Sequence, residues 1–261
     1  MSIPTVADSI DSAELHSDTG LSNFSWRGIL GPDLLRYDLY YEFLRREFRN
    51  RGNDLTLLDV GCGHVDSPRA LGINEFDEQV SRLWGVEPDT TGDPAPQYQR
   101  VWQSTLENAD VPDDSVDMMI SYFVVEHVQS PEEFMACVLR VLKPGGVFLA
   151  ATVNLNCVFA QIAKKCQTFG VQDQVLRLVR GRQLVDQYHY PAYYRLNTCD
   201  ALMQQAEVHR SILAMELTYF ENDEWYHYLP RPVRFMGAAL RKTFHRREKN
   251  FSYLFLKLTK E

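Results

Sequence analysis

The chain has 261 residues, of which 45% are hydrophobic and 24% are charged, and its formal net charge is -8 at pH 7. This balance is typical of a folded globular protein and excludes fibrous and intrinsically disordered classes, and the length suits one large α/β domain. The negative charge gives no overall attraction to phosphate backbones, so we expect no nucleic-acid partner.

The first 31 residues are predicted to form a tail or lead-in to the domain. Residues 1 to about 25 are rich in Ser, Asp and Thr and show no sustained period. They lack the basic region and apolar stretch of a secretory signal, and no apolar run in the chain approaches the roughly 18 residues that span a bilayer. The five cysteines form no C-x-x-C pair and are interpreted as reduced thiols. We therefore expect a cytoplasmic protein.

A helix is predicted from Pro32, because apolar residues then recur at near-helical spacing and proline suits a first helical turn. Short apolar runs predict four strands, at 55–60, 82–87, 116–123 and 146–153. A helix is predicted between the last two, with Ser130 as its cap and a pair of glycines at its end. Two later runs are candidate closing strands, at 211–220 and 251–259. Strands that alternate with helices favour a doubly wound, parallel α/β sheet.

Two connections are longer than ordinary loops. The first, at about 154–197, is predicted to be an inserted helical lid, and the second insertion lies at about 221–250. Within the second, residues 231–247 interleave basic and apolar side chains. An interfacial helix at a membrane has this pattern, but an ordinary surface helix has it too and is the favoured interpretation. Residues 32–261 are thus interpreted as one domain with two insertions.

The segment LLDVGCG runs from an apolar strand into a glycine turn, at the edge where doubly wound sheets bind ligands. Gly61 and Gly63 let a ligand approach the backbone closely. A dinucleotide site would continue as G-x-G-x-x-G, but Asp66 takes the third glycine's place and Asp59 would lie beside the pyrophosphate. S-adenosylmethionine has no phosphate, and Asp59 can face its positively charged methionine end. Glu87, which ends the second strand, fits the acid that accepts hydrogen bonds from ribose hydroxyls.

These residues, followed by GVEPD and then by VPDDSVDMMISYFVVEHVQSPEEFMACVLRVLKPGGVFLA, resemble the class I methyltransferases, especially the methyltransferase type 11 group, over roughly residues 55–153. The resemblance implies a Rossmann-like, doubly wound, mostly parallel seven-stranded sheet with an inserted helical lid, and S-adenosylmethionine as the cofactor. The cofactor-binding residues that we predict are Asp59, Gly61, Cys62, Gly63, Glu87, Pro88, Leu106 and Tyr122. The acid that often precedes the adenine-flanking residue is replaced by Thr105.

His127 is the candidate catalytic residue. Methyl transfer from a sulfonium is an in-line displacement that needs a base only if the nucleophile carries a proton, and a histidine titrates near neutrality. Alternatively, Glu126 and His127 only begin a helix and orient a loop. In ubiquinone-pathway O-methyltransferases a similar Glu-His pair helps to bind a metal with an earlier Glu, which is Phe123 here. We therefore predict no metal.

The segment HYPAYYRLNT supplies the candidate substrate residues His189, Tyr194 and Arg195, because aromatic walls and one cation suit a planar or anionic acceptor. Tyr193 is expected to pack in the lid. The predicted function is S-adenosylmethionine-dependent methyl transfer to a small-molecule acceptor, at a hydroxyl oxygen of a saccharide or secondary-metabolite intermediate. The alternative is a degenerate methyltransferase fold that binds cofactor or protein partners without turnover, which the altered turn GCGHVD favours. The oligomeric state is left open.

Overall fold

The computed structural model of the protein describes residues 22–25, 36–65, 73–171, 174–175, 191–209, 213–220, 234–244 and 247–261. Its strands are β1 (Ser22–Ser25), β2 (Leu55–Val60), β3 (Val80–Val86), β4 (Arg100–Trp102), β5 (Val116–Tyr122), β6 (Leu142–Val153), β7 (Leu213–Phe220) and β8 (Tyr253–Lys260). Its α-helices are α1 (Arg36–Arg49), α2 (Pro131–Val141), α3 (Val158–Thr168), α4 (Cys199–Val208) and α5 (Arg234–Phe244).

The strands form one sheet in the order β1-β7-β8-β6-β5-β2-β3-β4. Only β8 is antiparallel, to both of its neighbours, β6 and β7. This arrangement confirms the predicted Rossmann-like, mostly parallel sheet. The short strand β1 adds an eighth strand at the edge, parallel to β7, within the segment that we predicted as a tail.

The topology brings the end of β2 beside the end of β5. From β2 the chain proceeds outward through β3 to β4, whereas β5 and β6 lie on the opposite side of β2. In the register of the two strands, Val60 of β2 faces Ser121 of β5. The glycine turn that follows Val60 therefore lies at a switch point of the sheet, where doubly wound folds bind their ligands.

Both faces of the sheet are covered by helices, as the alternation of side chains along β5 illustrates. Met118 packs in the core on the α1 side with Leu44 and Phe48, and Met119 packs on the α2 side with Phe134. Neighbouring residues of a strand point to opposite faces, so a strand buried on both faces reads as a continuous apolar run. Burial of each such side chain contributes about 1.5–3 kcal/mol, which stabilises the framework of the site.

The end of α2 differs from its prediction. The helix ends at Val141 and β6 begins at the next residue, so the expectation that Gly145 and Gly146 end the helix is wrong. The glycines lie inside β6, where Gly145 has φ of +76° and a Cβ on Gly146 would come within 2.8 Å of the Lys143 carbonyl oxygen. The ladder between β5 and β6 shifts register at this point. Gly145 and Gly146 therefore allow an irregularity within β6, which is a position for which glycine is suited. Ser130 is at the N-cap position, but its side chain makes no capping hydrogen bond.

The two segments that we predicted as insertions contain α3 and α5, which contact each other. The α5 helix covers part of the basic, apolar stretch that we predicted at 231–247; residues 231–233 and 245–246 lie outside the described residues. In α5 the side chains of Phe235 and Phe244 are exposed. Among the helices that the structure describes, none has the length and hydrophobicity needed to cross a membrane.

Candidate active site

A cavity of about 870 Å³ opens at the carboxyl ends of β2, β3 and β5. It is lined by Gly61 and Pro88, which follow β2 and β3, and by Leu106, the first residue of a short 3-10 helix. His127, after β5, and Arg195 also line it. The cavity therefore lies between strand ends, the position at which α/β sheets bind ligands.

The turn after β2 is fixed by its backbone. The N–H groups of Gly61 and Cys62 both donate to the Val86 carbonyl oxygen, at 2.7 and 3.2 Å. Gly61 and Gly63 have φ of +74° and +69°, which glycine adopts without strain. A Cβ atom on Gly61 would collide with Cγ2 of Val124. Glycine is thus required here both by the turn and by the close approach of the loop after β5.

Glu87 joins this turn to the loop after β3. Its Oε2 atom accepts the Gly63 N–H at 2.9 Å, and its Oε1 atom accepts the Asp89 N–H at 3.0 Å. An ionised carboxylate has about four acceptor positions, so two backbone bonds leave capacity for ligand hydroxyls. Beside it, hydrogen bonds from the backbone N–H and side chain of Thr91, with a smaller contribution from His64, lower the pKa of Asp89 to about 2. The Asp89 side chain is therefore a carboxylate at neutral pH, and a negative charge at this loop suits a cofactor without phosphate.

Asp59 is fully buried beneath the turn, and its Oδ2 atom accepts a hydrogen bond of 2.7 Å from the hydroxyl of Tyr98. Tyr98 comes from the loop between β3 and β4 and is also buried. The sequence analysis did not identify this tyrosine. The one local signal for it is Gly85, which faces Asp59 in the register of β2 and β3 and leaves room for the ring.

The segment at residues 191–195 runs along the loop after β5. The Nδ1 atom of His127 lies 3.0 Å from the Pro191 carbonyl oxygen. A carbonyl only accepts, so in the neutral ring the proton is on Nδ1 and the lone pair is on Nε2. The Glu126 carbonyl oxygen accepts the N–H groups of Tyr193 and Tyr194, at 2.8 and 3.0 Å. Arg195 donates from Nη1 to the Gln129 carbonyl oxygen at 2.6 Å. These bonds make residues 191–195 one wall of the cavity.

A buried chain of side chains supports this wall. Asn197 donates from Nδ2 to Oγ1 of Thr152, and Thr152 donates to Oε2 of Glu126, each at 2.8 Å. The Glu126 side chain is 6% exposed and is turned inward to Thr152. Through this bond Glu126 ties the loop after β5 to the end of β6. Within the described residues there is no group of three or more His, Cys, Asp or Glu that could hold a metal ion.

Five predicted site residues share the wall of the cavity: Gly61, Pro88, Leu106, His127 and Arg195. Asp59, Cys62 and Gly63 lie in or under the turn, and Glu87 is bonded to it from the loop after β3. None of these four residues lines the cavity, and the Cys62 side chain is fully buried.

Of the other three predicted residues, Tyr122 and Tyr194 are not among those that line the cavity. The Tyr122 ring packs on Tyr37 and Tyr40, with centroids 5.7 and 5.0 Å away. Tyr194 has φ of +53° and donates its backbone N–H to the Glu126 carbonyl oxygen. His189 is outside the described residues.

Gln205 of α4 also lines the cavity, and the sequence did not indicate it. Its side chain is 8% exposed, and its Oε1 atom is buried without a hydrogen-bond partner. A buried polar atom without a partner is costly and is often satisfied by a ligand or water. A glutamine within a helical pattern gives no sign of such a role, because only the packing of α4 against α2 brings it to the cavity.

Comparison with known proteins places these features in a family. A family model described as "Methyltransferase domain" matches residues 35–210. A probable S-adenosylmethionine-dependent methyltransferase of Mycolicibacterium smegmatis is 32% identical over 123 residues, which are 46% of this chain and 44% of that protein. A ubiquinone biosynthesis O-methyltransferase of Paramagnetospirillum magneticum is 38% identical over 121 residues, which are 43% of this chain and 45% of that protein. The chain thus spans a little under half the length of these relatives.

The fold has a solved counterpart in an S-adenosylmethionine-dependent methyltransferase from Archaeoglobus fulgidus. The two structures align with a TM-score of 0.52 and 15% sequence identity, over 86% of this chain and 94% of that chain.

Proposed function

Because the chain belongs to the class I S-adenosylmethionine-dependent methyltransferases, we propose that it transfers a methyl group from this cofactor to a hydroxyl oxygen of a small molecule. The observation that carries the proposal is the cavity at the strand ends, which is lined by Gly61, Pro88 and Leu106 together with His127 and Arg195. The choice of oxygen is supported by the similarity to ubiquinone biosynthesis O-methyltransferases. A saccharide or a secondary-metabolite intermediate is the proposed class of acceptor.

The residues around the cavity fit S-adenosylmethionine. Leu106 and Pro88 offer apolar surfaces for the adenine, and the Glu87 carboxylate has acceptor capacity for the ribose hydroxyls. Gly61 and Gly63 give the methionine part close access to the backbone. The cofactor carries no phosphate, so the carboxylates of Asp59, Glu87 and Asp89 oppose a dinucleotide and favour a sulfonium.

The bound cofactor supplies an electrophilic methyl carbon on a positively charged sulfur. The protein has to hold the acceptor oxygen in line with that carbon, exclude water, and remove the hydroxyl proton as the new bond forms. We assign proton removal to Nε2 of His127, since Nδ1 is engaged with the Pro191 carbonyl oxygen. Arg195 is the acceptor contact that the cavity supports best; Tyr194 and His189 are proposed with it from the sequence.

Calorimetric titration with S-adenosylmethionine and S-adenosylhomocysteine tests the cofactor site. Incubation of the protein with methyl-labelled S-adenosylmethionine and a small-molecule cell extract then tests transfer. Label in a new product whose methyl group is located on oxygen by NMR supports the O-methyltransferase. Binding of both compounds without label in any product supports the alternative, a cofactor-binding fold without turnover. If neither compound binds, methyl transfer and cofactor binding are both excluded, and only a degenerate fold that binds protein partners is left.

A further inference from the structure

We propose that Tyr98 is a positioning residue that acts through Asp59 on the methionine end of the cofactor. The Tyr98 hydroxyl donates to Oδ2 of Asp59 at 2.7 Å, and the two side chains are 8% and 0% exposed. The inference goes beyond the proposed function but rests on its placement of the methionine part at the glycine turn.

The geometry of neighbouring strands brings Tyr98 to this carboxylate. Gly85 of β3 is the register partner of Asp59, and a Cβ atom there would lie 3.2 Å from Cδ1 of Tyr98 and 2.6 Å from Sγ of Cys62. Glycine at this position therefore leaves the space that the tyrosine ring and the cysteine fill. The backbone of Tyr98 is held by a second hydrogen bond, from its N–H to the Ala95 carbonyl oxygen at 3.2 Å.

Asp59 lies directly before Val60 and Gly61, which line the cavity. Its carboxylate is under the turn and not in the wall, so its influence on a ligand is electrostatic. The methionine end of the cofactor carries a positive ammonium group and the positive sulfonium. Attraction between opposite charges is strengthened where protein replaces water, so an ionised Asp59 favours this end of the cofactor over the neutral adenosine end.

The chemistry of tyrosine explains why it suits this position. A buried carboxylate is unfavourable unless donors satisfy its oxygens. A lysine or arginine would satisfy them but would also cancel the charge. The neutral Tyr98 hydroxyl donates to the carboxylate and brings no positive charge of its own. Tyr98 therefore holds the Asp59 carboxylate in one orientation.

The test is titration of the Tyr98→Phe variant with S-adenosylmethionine, S-adenosylhomocysteine and 5′-methylthioadenosine, which lacks the amino-acid end. We expect the first two to bind about tenfold more weakly than to the unsubstituted protein, and 5′-methylthioadenosine to bind within about twofold of it. The matched control is Tyr219→Phe. Tyr219 is half-buried on β7 and its hydroxyl pairs with the Cys199 thiol, so this variant should bind all three compounds normally.

If Tyr98 had a merely structural role, the Tyr98→Phe variant would bind all three compounds more weakly by the same factor, and that result would overturn the proposal. Unchanged affinity of the variant for S-adenosylmethionine would also overturn it. The double variant Asp59→Asn, Tyr98→Phe covers the case in which Tyr98→Phe does not fold, since it removes the carboxylate together with the Tyr98 hydroxyl that donates to it. If Tyr98 acts through Asp59, the double variant binds S-adenosylmethionine as Asp59→Asn does. A further loss of about threefold or more would show independent action and contradict the inference. The proposed function fails separately, if the unsubstituted protein does not bind S-adenosylmethionine.

Discussion

Thr152 at the end of β6 donates its hydroxyl proton to the buried carboxylate of Glu126, with Oγ1 2.8 Å from Oε2. The Oγ1 atom of Thr152 also accepts a hydrogen bond from Nδ2 of Asn197. Through this threonine, the loop after β5 that carries His127 is joined to the segment that carries Arg195. The relationship gives the Glu126-His127 pair a role that needs no metal ion.

We expect the Thr152→Val variant to lose about 1–3 kcal/mol of unfolding free energy, because a buried carboxylate then lacks one of its donors. Methyl transfer should fall further than stability alone accounts for, since the wall at residues 191–195 is no longer fixed. Urea unfolding and the labelled-extract assay measure the two effects. Thr152→Ser keeps the hydroxyl and should restore most of both. If Thr152→Ser is as impaired as Thr152→Val, the hydroxyl is not what supports the wall.

Glu87→Ala should weaken S-adenosylmethionine binding by about tenfold or more, because it removes charge-assisted hydrogen bonds of about 1.5–3 kcal/mol. The carboxylate also holds the backbone N–H groups of Gly63 and Asp89, so the loss of affinity should be accompanied by a lower melting temperature. Calorimetric titration and thermal unfolding measure both. Glu78→Ala, which replaces an exposed acid remote from the cavity, serves as the control. Normal affinity of Glu87→Ala would exclude Glu87 from the cofactor site.

Gly61→Ala should destabilise the protein and weaken cofactor binding together. The added Cβ collides with Val124, and φ of +74° costs a residue other than glycine about 1–3 kcal/mol. The second substitution Val124→Ala should relieve the collision but not the backbone strain, so the double variant recovers only part of the stability. Gly52→Ala is the matched control, because no atom lies within 4 Å of its added Cβ. Full stability of Gly61→Ala in chemical denaturation would contradict this account of the turn.

The sequence was sufficient for the central strands and the glycine turn. In β2 and β5, burial on both faces produces apolar runs that can be identified without tertiary information. The edge strand β4 has three residues and no such run, and it was missed. The glycines at 145 and 146 were misassigned, because a glycine pair after a helix suits a helix end as well as a strand irregularity.

Side chains brought together from distant parts of the chain could not be predicted from local patterns. Tyr98 reaches Asp59 only because β3 pairs with β2, and Gln205 reaches the cavity only because α4 packs against α2. The motif residues could be predicted because the site is built at the ends of strands that follow one another along the chain. The residues that support them depend on pairing and packing that no single segment encodes.

His127→Asn separates the two roles assigned to His127. The asparagine amide can occupy the place of Nδ1 and donate to the Pro191 carbonyl oxygen, but it has no basic nitrogen in the place of Nε2. We therefore expect cofactor affinity and thermal stability close to those of the unsubstituted protein, and a rate of methyl transfer lower by about 10²–10⁴-fold, the range for general base catalysis. Single-turnover transfer of labelled methyl measures the chemical step. A near-normal rate in His127→Asn would show that His127 only orients the loop, and a loss of the rate together with cofactor binding would indicate that the ring shapes the cavity.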